Sequence, residues 1–207
     1  MKTPEYWEQA KRDLCAADKV MAKIITSYPG ELIQTRGDAF YTLMRSITGQ
    51  QISVKAADAV WGRLEAALKG KVMPKQLLAL SEEEMRGCGL SRQKIAYCRN
   101  IAEHFQQQHI TEAYFVPMSD AEVIADLTQI KGVGRWTAEM FLIFHLMRAD
   151  VFPVDDIGVL KGIERAYGWE ARRAKADYVN LAEAWRPWRS VATWYLWRSL
   201  DPVPVAY

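Results

Sequence analysis

The sequence has few cysteines and no long uncharged apolar run. Cys15, Cys88 and Cys98 are too few for a disulfide framework, and their spacing does not match the C-x-x-C pairs that bind zinc. No stretch approaches the roughly 18 apolar residues of a membrane span, and the charged N-terminus lacks the apolar core of a secretion signal. We therefore expect a soluble protein of a reducing compartment, neither secreted nor bound to a membrane.

Neither positive nor negative charge is in large excess. Lys and Arg number 27 against 25 Asp and Glu, which gives a formal net charge of +2. This total neither requires nor excludes a nucleic-acid partner, so any such argument must rest on local features. One local feature is a segment without acidic residues that could follow phosphates or form a solvated helix face. Its basic residues are Arg86, Arg92, Lys94 and Arg99.

The apolar residues recur every three or four positions, without the sustained alternation of half-buried strands. The chain is therefore predicted to be all-α. Its length and its 50% hydrophobic content suffice for one domain or for two interlocked subdomains. Two capping boxes, Ser81 with Glu84 and Ser119 with Glu122, mark helix starts. A polar segment, Thr48–Gln51, interrupts the apolar pattern between two predicted helices.

A pair of glycines, Gly132 and Gly134, separates two predicted helices, the second of which runs from Arg135 to about Met147. The pair permits a tight turn whose backbone N–H groups, with the following helix N-terminus, form a surface suited to a phosphate. Lys131 and Arg135 add positive charge on either side. The alternative is an ordinary turn that ends one buried helix and begins another.

Two consecutive aspartates, Asp155 and Asp156, begin the next predicted helix. An aspartate at this place is ordinarily an N-cap, which explains at least one of the two without any chemistry. From their position alone, therefore, neither carboxylate is assigned a catalytic role.

Three separated segments carry a more specific signal. They are Arg45–Val54, Leu127–Ala138 followed by Val154–Asp156, and Trp185–Ser190. In this order they resemble the helix-hairpin-helix/Gly-Pro-Asp superfamily of DNA glycosylases, and within it the 3-methyladenine DNA glycosylase II family. Several separated motifs in one order are far more specific than any one of them. The resemblance covers roughly residues 40 to 200.

The resemblance implies a fold. The chain would form a single glycosylase domain over residues 1–207, with two helical subdomains flanking a cleft. Residues 39–147 would form a helical bundle with the helix-hairpin-helix motif at its end. Residues 1–38 and 148–207 would together form the other subdomain.

The resemblance also implies a reaction. The protein would be a monofunctional DNA glycosylase of base excision repair, which flips an alkylated purine out of duplex DNA and hydrolyses its N-glycosidic bond. Asp156 matches the catalytic aspartate, whose charge would stabilise the positive charge that develops on the sugar. Asp155 is left to cap the helix or to orient its neighbour. Trp136 and Trp197 match aromatic residues of the base pocket, which suit a cationic base.

Contacts with DNA follow from the same resemblance. Gln51 matches the residue that fills the gap left by the flipped nucleotide, although the best-known enzyme has an aliphatic side chain there. An ordinary polar loop is the alternative. The residues expected to contact DNA are Gln50, Gln51, Lys131, Gly132, Val133, Gly134, Arg135 and Thr137.

Trp136 bears on the type of reaction as well. Superfamily members that also cut the DNA strand resemble this chain but carry a lysine at that position, where it forms a Schiff base with the sugar. Lys131 and Lys161 do not occupy the position, so we expect a hydrolase that leaves an intact abasic site. No cofactor and no required metal are expected, although the family hairpin often holds a monovalent cation through backbone carbonyls.

The expected partner is double-stranded DNA containing alkylated bases, bound by a monomer at the bacterial nucleoid in the cytoplasm or in the eukaryotic nucleus. Three other interpretations compete with this one. A non-catalytic helix-hairpin-helix module would bind DNA without using Asp156. A bifunctional or mismatch-adenine glycosylase would typically have a lysine at position 136 or a four-cysteine iron–sulfur cluster, and this sequence has neither. A helical interaction domain would not need the ordered motifs.

Overall fold

The computed structural model describes residues 4–30, 32–35, 38–111 and 113–200, except for the side chain of Val54. The other parts of the predicted domain 1–207 lie outside the described residues. Over the described part the chain forms α-helices joined by turns, with no β-strand, which confirms the all-α prediction. In the same part of the chain, no helix combines the length and the apolar character needed to span a bilayer.

The helices are α1 (Trp7–Ala17), α2 (Lys19–Ser27), α3 (Ala39–Gly49), α4 (Val54–Ala67), α5 (Pro74–Ala79), α6 (Glu82–Gly87), α7 (Arg92–Gln107), α8 (Asp120–Leu127), α9 (Arg135–Phe144), α10 (Ile157–Ala166), α11 (Lys175–Ala182) and α12 (Arg189–Leu200). A 3₁₀ turn, Glu183–Trp185, follows α11.

The helix starts follow the local signals of the sequence. Both predicted capping boxes are confirmed, since Ser81 and Ser119 each accept a hydrogen bond from the N–H of the glutamate three residues later. One predicted helix end is wrong, because α9 ends at Phe144 and does not reach Met147. Met147 has a left-handed φ of 53°, a conformation that no α-helix continues through.

The chain divides into two compact units. Of the described residues, 4–30, 32–35 and 147–200 form the terminal unit, and 38–111 and 113–146 form the central unit. Each has its own buried side chains, such as Trp185 in the terminal unit and Phe141 in the central unit. The predicted cleft concerns the placement of the two units and stays a prediction.

In the central unit, α3 is buried among its neighbours. Every residue from Thr42 to Thr48 is buried, and α3 packs against α4, α7 and α9. A buried helix of this kind is a rigid base for whatever follows it, because displacing it would open the core. Gln50 and Gln51, the second half of the polar segment noted in the sequence, follow α3 directly.

In the terminal unit, one carboxylate connects three elements. Asp18 is the N-cap of α2, and its Oδ1 accepts hydrogen bonds from the N–H groups of Val20 (2.8 Å) and Met21 (3.1 Å). Its Oδ2 accepts from the Tyr167 hydroxyl (2.5 Å), which follows α10, and from the Trp185 indole (3.0 Å). Burial acts to raise the pKa of Asp18, but these four hydrogen bonds outweigh it and hold the pKa below its ordinary value.

Replacing Asp18 by Asn should destabilise the protein by about 2 kcal/mol at pH 7. The four donors now share two carboxylate oxygens, whereas the amide of asparagine has only one oxygen that can accept. A carboxylate with a depressed folded-state pKa contributes stability above its unfolded pKa of about 3.9 and loses it as the pH falls through the folded value. The difference between wild type and variant should therefore shrink below about pH 4. Urea unfolding at pH 7 and pH 3 measures both effects.

Asp13→Asn is the matched control, since the Asp13 carboxylate also accepts from an indole, that of Trp188 (2.8 Å). It caps no helix in the structure, and we expect a loss of about 1 kcal/mol or less. Equal losses for the two variants, or a pH-independent loss for Asp18→Asn, would show that the Asp18 network does not stabilise the fold as described.

Candidate functional site

The candidate catalytic carboxylate lies at the start of α10, in the terminal unit. Asp156 is half-buried and is the N-cap of that helix, and its Oδ1 accepts a hydrogen bond from the Val159 N–H at 2.7 Å. The same oxygen accepts from the indole Nε1–H of Trp197 at 2.9 Å. Two donors from different helices therefore fix the orientation of this carboxylate.

Of the two roles expected for Asp155, capping the helix is wrong, and orienting its neighbour stays a prediction. Asp155 is exposed and forms an ion pair with Lys175. Asp156 has the extended backbone of an N-cap (φ −77°, ψ 114°) and is three residues before the N–H that it binds. Capping and the candidate catalytic role thus belong to the same side chain.

Two glycines allow Trp197 to reach Asp156. A Cβ atom on Gly158 would lie 3.0 Å from Asp156 Oδ1 and 3.1 Å from Trp197 Cδ1. One turn later, a Cβ on Gly162 would lie 3.0 Å from the Leu196 carbonyl oxygen. Because both positions lack a side chain, α12 packs closely on α10, and the half-buried indole of Trp197 lies against the first turn of that helix.

The glycine pair forms a tight hairpin in the central unit. Gly132 has a φ of 107°, and a Cβ there would lie 2.2 Å from Cγ of Tyr97 on α7, so only glycine fits. The Val133 side chain is buried and its N–H donates to the Ile130 carbonyl at 2.9 Å, so this N–H does not belong to the phosphate surface that the turn was expected to form. Gly134 is the N-cap of α9 and has no side chain to bond the first N–H groups of the helix.

Positive charge flanks this hairpin. The Arg135 side chain is 66% exposed, although it also pairs with the buried Glu139 at 2.9 Å. Lys131 is exposed, and its carbonyl accepts a hydrogen bond from the Asn100 amide at 2.9 Å. The resemblance suggests a monovalent cation held by backbone carbonyls of this hairpin, and two of these carbonyls, those of Ile130 and Lys131, each accept a hydrogen bond from the protein. That cation stays a prediction.

The predicted polar break Thr48–Gln51 is placed too early, because Thr48 and Gly49 belong to α3. The loop between α3 and α4 is Gln50–Ser53, which we call the 50–53 loop. Gln51 is exposed and has a left-handed φ of 59°, which is unusual for a residue other than glycine. Ile52 is 40% exposed, so the loop also presents an apolar side chain. The loop therefore combines a strained backbone with one polar and one aliphatic side chain at the surface.

Gln50 and Thr137 contact each other within the central unit. The Gln50 amide donates to the Thr137 hydroxyl at 3.1 Å. Thr137 is 2% exposed, so the direct DNA contact predicted for its side chain needs correction. Its structural role here is to connect the 50–53 loop to the first turn of α9.

The segment without acidic residues is partly occupied by internal contacts. The Lys94 ammonium donates to the carbonyls of Thr48 (2.8 Å) and Gln50 (2.7 Å), and Arg99 donates to the Leu80 carbonyl at 2.6 Å. The two alternatives predicted for this segment, a surface that follows phosphates and a solvated helix face, both stay predictions. Both of them bind backbone oxygens of the central unit.

Comparison with known proteins gives the family. Residues 44–189 match the sequence profile of the HhH-GPD superfamily of base excision DNA repair proteins. This chain belongs to the HhH-GPD superfamily. Among its relatives is DNA-3-methyladenine glycosylase 1 of Schizosaccharomyces pombe, which is 33% identical over 184 residues, covering 87% of this chain and 81% of the relative.

Solved structures of HhH-GPD proteins agree in fold. A 3-methyladenine DNA glycosylase of Schizosaccharomyces pombe in complex with abasic DNA has a TM-score of 0.85 and 30% identity, covering 96% of this chain and 100% of that one. A DNA-3-methyladenine glycosidase of Bacillus halodurans has a TM-score of 0.80 and 34% identity, covering 96% and 92%. Both likenesses extend over almost the whole chain.

The structure adds three residues to the predicted candidate site. Trp136 is half-buried as the second residue of α9, in the central unit. Lys94, Tyr97 and Ile52 were not predicted as site residues. The signal for Ile52 was its place beside Gln51, and that for Lys94 was the segment without acidic residues, whereas nothing local distinguishes Tyr97 from a surface residue of a helix.

Proposed function

We propose that this HhH-GPD protein is a monofunctional DNA glycosylase of the 3-methyladenine DNA glycosylase II type. It hydrolyses the N-glycosidic bond of alkylated purines in double-stranded DNA. The observation that carries the proposal is the Asp156 carboxylate, held by the Val159 N–H and the Trp197 indole. Relatives named 3-methyladenine DNA glycosylases, one of them bound to abasic DNA, support it.

The reaction needs one negative charge in a fixed place. When the bond between C1′ and the purine nitrogen breaks, its electron pair goes to the base and positive charge develops on the sugar. A carboxylate beside C1′ stabilises that charge, and the oxygen of a water molecule then bonds to C1′ while its proton passes to solvent or to the carboxylate. An N3- or N7-alkylated purine is cationic before cleavage and leaves as a neutral base, so a strong general acid is not needed.

Aromatic faces provide the base recognition in this proposal. Trp197 and Trp136 are the candidate pocket residues, and stacking of a base on such a ring contributes about 1–3 kcal/mol. A cationic base gains more from an electron-rich ring than a neutral one does. Because the Trp197 indole N–H binds Asp156, the orientation of its ring is tied to that of the carboxylate. Recognition by stacking favours several alkylated purines over a single lesion.

The hairpin and the 50–53 loop provide the DNA contacts in this proposal. The first turn of α9, begun by Gly134, suits a phosphate, and the exposed Lys131 and Arg135 side chains add to its attraction. Flipping a nucleotide costs a few kcal/mol and leaves a gap in the stack. Gln51, with the exposed Ile52 beside it, is the candidate to fill that gap.

We also propose that the protein acts as a monomer, in the bacterial cytoplasm at the nucleoid or in the eukaryotic nucleus. One chain carries the candidate carboxylate, the candidate pocket residues and the candidate DNA contacts. No group from a second copy is needed for the chemistry described.

Excision assays test the proposed substrate class. Duplexes containing 3-methyladenine, 7-methylguanine, ethenoadenine or hypoxanthine are incubated with the protein, and release of each base is followed under single-turnover conditions. We expect the two cationic bases to be released faster than the two neutral ones. DNA binding without release of any base would instead indicate a non-catalytic helix-hairpin-helix module.

Borohydride treatment tests the proposed absence of strand cleavage. Because Trp136 stands where a strand-cutting relative has lysine, we expect no covalent protein–DNA adduct after reduction. We also expect a product strand that breaks only after alkali. A glycosylase known to form a Schiff base is the positive control. A trapped adduct, or strand breaks before alkali, would show that another amine of this chain attacks the sugar.

A further inference from the structure

One face of α7 contacts both of the candidate DNA-binding segments of the central unit. Lys94, Tyr97 and Asn100 are three residues apart, so their side chains lie along the same side of the helix. Lys94 binds the 50–53 loop, Tyr97 packs against Gly132 and Asn100 binds the Lys131 carbonyl. The loop and the hairpin are thus held from a single rigid element.

Lys94 binds the backbone immediately before Gln51, the residue with the left-handed φ. Its ammonium donates to Thr48 O near the end of α3, where unsatisfied carbonyls and the negative end of the helix dipole favour a cation. It also donates to Gln50 O, the oxygen of the peptide that joins Gln50 to Gln51. Fixing that peptide plane holds Gln51 at its left-handed φ of 59°. Burial lowers the pKa of the Lys94 amine, as expected for an ammonium that has exchanged water for these carbonyls.

A second connection acts on the same loop. The Gln50 side chain donates to the buried Thr137 hydroxyl in the first turn of α9. Gln50 is therefore held through its carbonyl by α7 and through its amide by α9. Gln51 and Ile52, which come next, stay exposed. The loop is restrained at its base and open at its tip.

We propose that Lys94 is a positioning residue for lesion recognition. It holds the 50–53 loop in the conformation that presents Gln51 and Ile52 to the DNA, at a spacing from the hairpin that α7 sets. The part of this proposal that concerns DNA rests on the proposed function. The part that concerns the conformation of the loop does not.

Three variants of the full-length protein test the proposal. Lys94→Met removes the ammonium and keeps the length of the side chain, whereas Lys94→Arg keeps a cation that can donate to both carbonyls. Arg99→Met is the matched control, because Arg99 also lies on α7 and binds a carbonyl, that of Leu80, away from the loop. Lys94→Gln serves in place of Lys94→Met if the latter does not fold.

The first measurement is amide hydrogen exchange of residues 50–53 in the free protein. Lys94→Met should speed this exchange about tenfold, and Lys94→Arg should restore it, because the restraint on the loop depends on the donated hydrogen bonds. The second is affinity for a duplex with a tetrahydrofuran abasic analogue against an undamaged duplex. Lys94→Met should reduce this preference about tenfold. Affinity for undamaged DNA should change about twofold or less.

Two outcomes would overturn the proposal. In one, Lys94→Met keeps both the exchange rate and the preference for abasic DNA. In the other, it weakens binding to both duplexes equally with no change in exchange, which is the behaviour of a phosphate contact. An effect of Arg99→Met as large as that of Lys94→Met would also overturn it. If wild type released no base from any lesion, the proposed function would fail, while the exchange result would still decide the role of Lys94 in the loop.

Discussion

Asp156→Asn should lower the single-turnover rate of 3-methyladenine excision by about 10³-fold, comparable to the loss of other groups that stabilise transition-state charge. Asparagine has the same shape as aspartate and is an equally good N-cap. Its amide oxygen can still accept from the Val159 N–H and the Trp197 indole, so the start of α10 should be preserved. The variant therefore removes the negative charge and can keep both of these hydrogen bonds.

The measurements are the excision rate, the affinity for a duplex with an abasic analogue and the thermal unfolding midpoint. Affinity and midpoint should stay close to those of wild type. Asp155→Asn is the matched control, because it removes the neighbouring charge, which is exposed and paired with Lys175. We expect that control to excise at nearly the wild-type rate. An Asp156→Asn protein that keeps its fold and excises within tenfold of wild type would eliminate Asp156 as the catalytic group.

Gly132→Ala should destabilise the protein by about 2–4 kcal/mol and abolish tight binding to DNA. The new Cβ would lie 2.2 Å from Tyr97 Cγ, so the hairpin or α7 must move. The φ of 107° is an additional cost for any residue with a side chain. Urea unfolding measures the stability, and titration with a duplex containing an abasic analogue measures the binding.

Gly134→Ala is the matched control for stability. Gly134 lies in the same hairpin, but a Cβ there would have no atom within 4 Å. We expect the free energy of unfolding to fall by about 1 kcal/mol or less, because alanine is a poorer N-cap than glycine. Adding Tyr97→Ala to Gly132→Ala should recover part of the loss, because the clash with the ring disappears, while the 2.8 Å contact with the Cβ of residue 97 and the unfavourable φ remain. If the two glycine variants are equally stable, the contact with Tyr97 does not require a glycine at position 132.

Local signals in the sequence determined most of the secondary structure. The spacing of apolar residues predicted helices throughout, and the capping boxes at Ser81 and Ser119 marked two helix starts correctly. Hydrogen bonds in helices and caps join residues three or four positions apart, so the information for them lies within a short segment. The order of the motifs was sufficient to predict the superfamily as well.

Tertiary structure alone decided which atoms those residues meet. Asp156 and Trp197 are 41 residues apart, and their hydrogen bond exists because Gly158 and Gly162 let α12 pack closely on α10. Close packing also distinguishes the two glycines of the hairpin: a Cβ on Gly132 would overlap Tyr97, whereas a Cβ on Gly134 would meet nothing within 4 Å.

The corrections and additions to the sequence predictions have the same origin. Thr137 is turned inward toward Gln50, and Lys94 binds backbone carbonyls. Residue type determines what a side chain can donate or accept. Which partner it finds depends on the packing of helices that are distant in the chain, and no pattern within one helix contains that information.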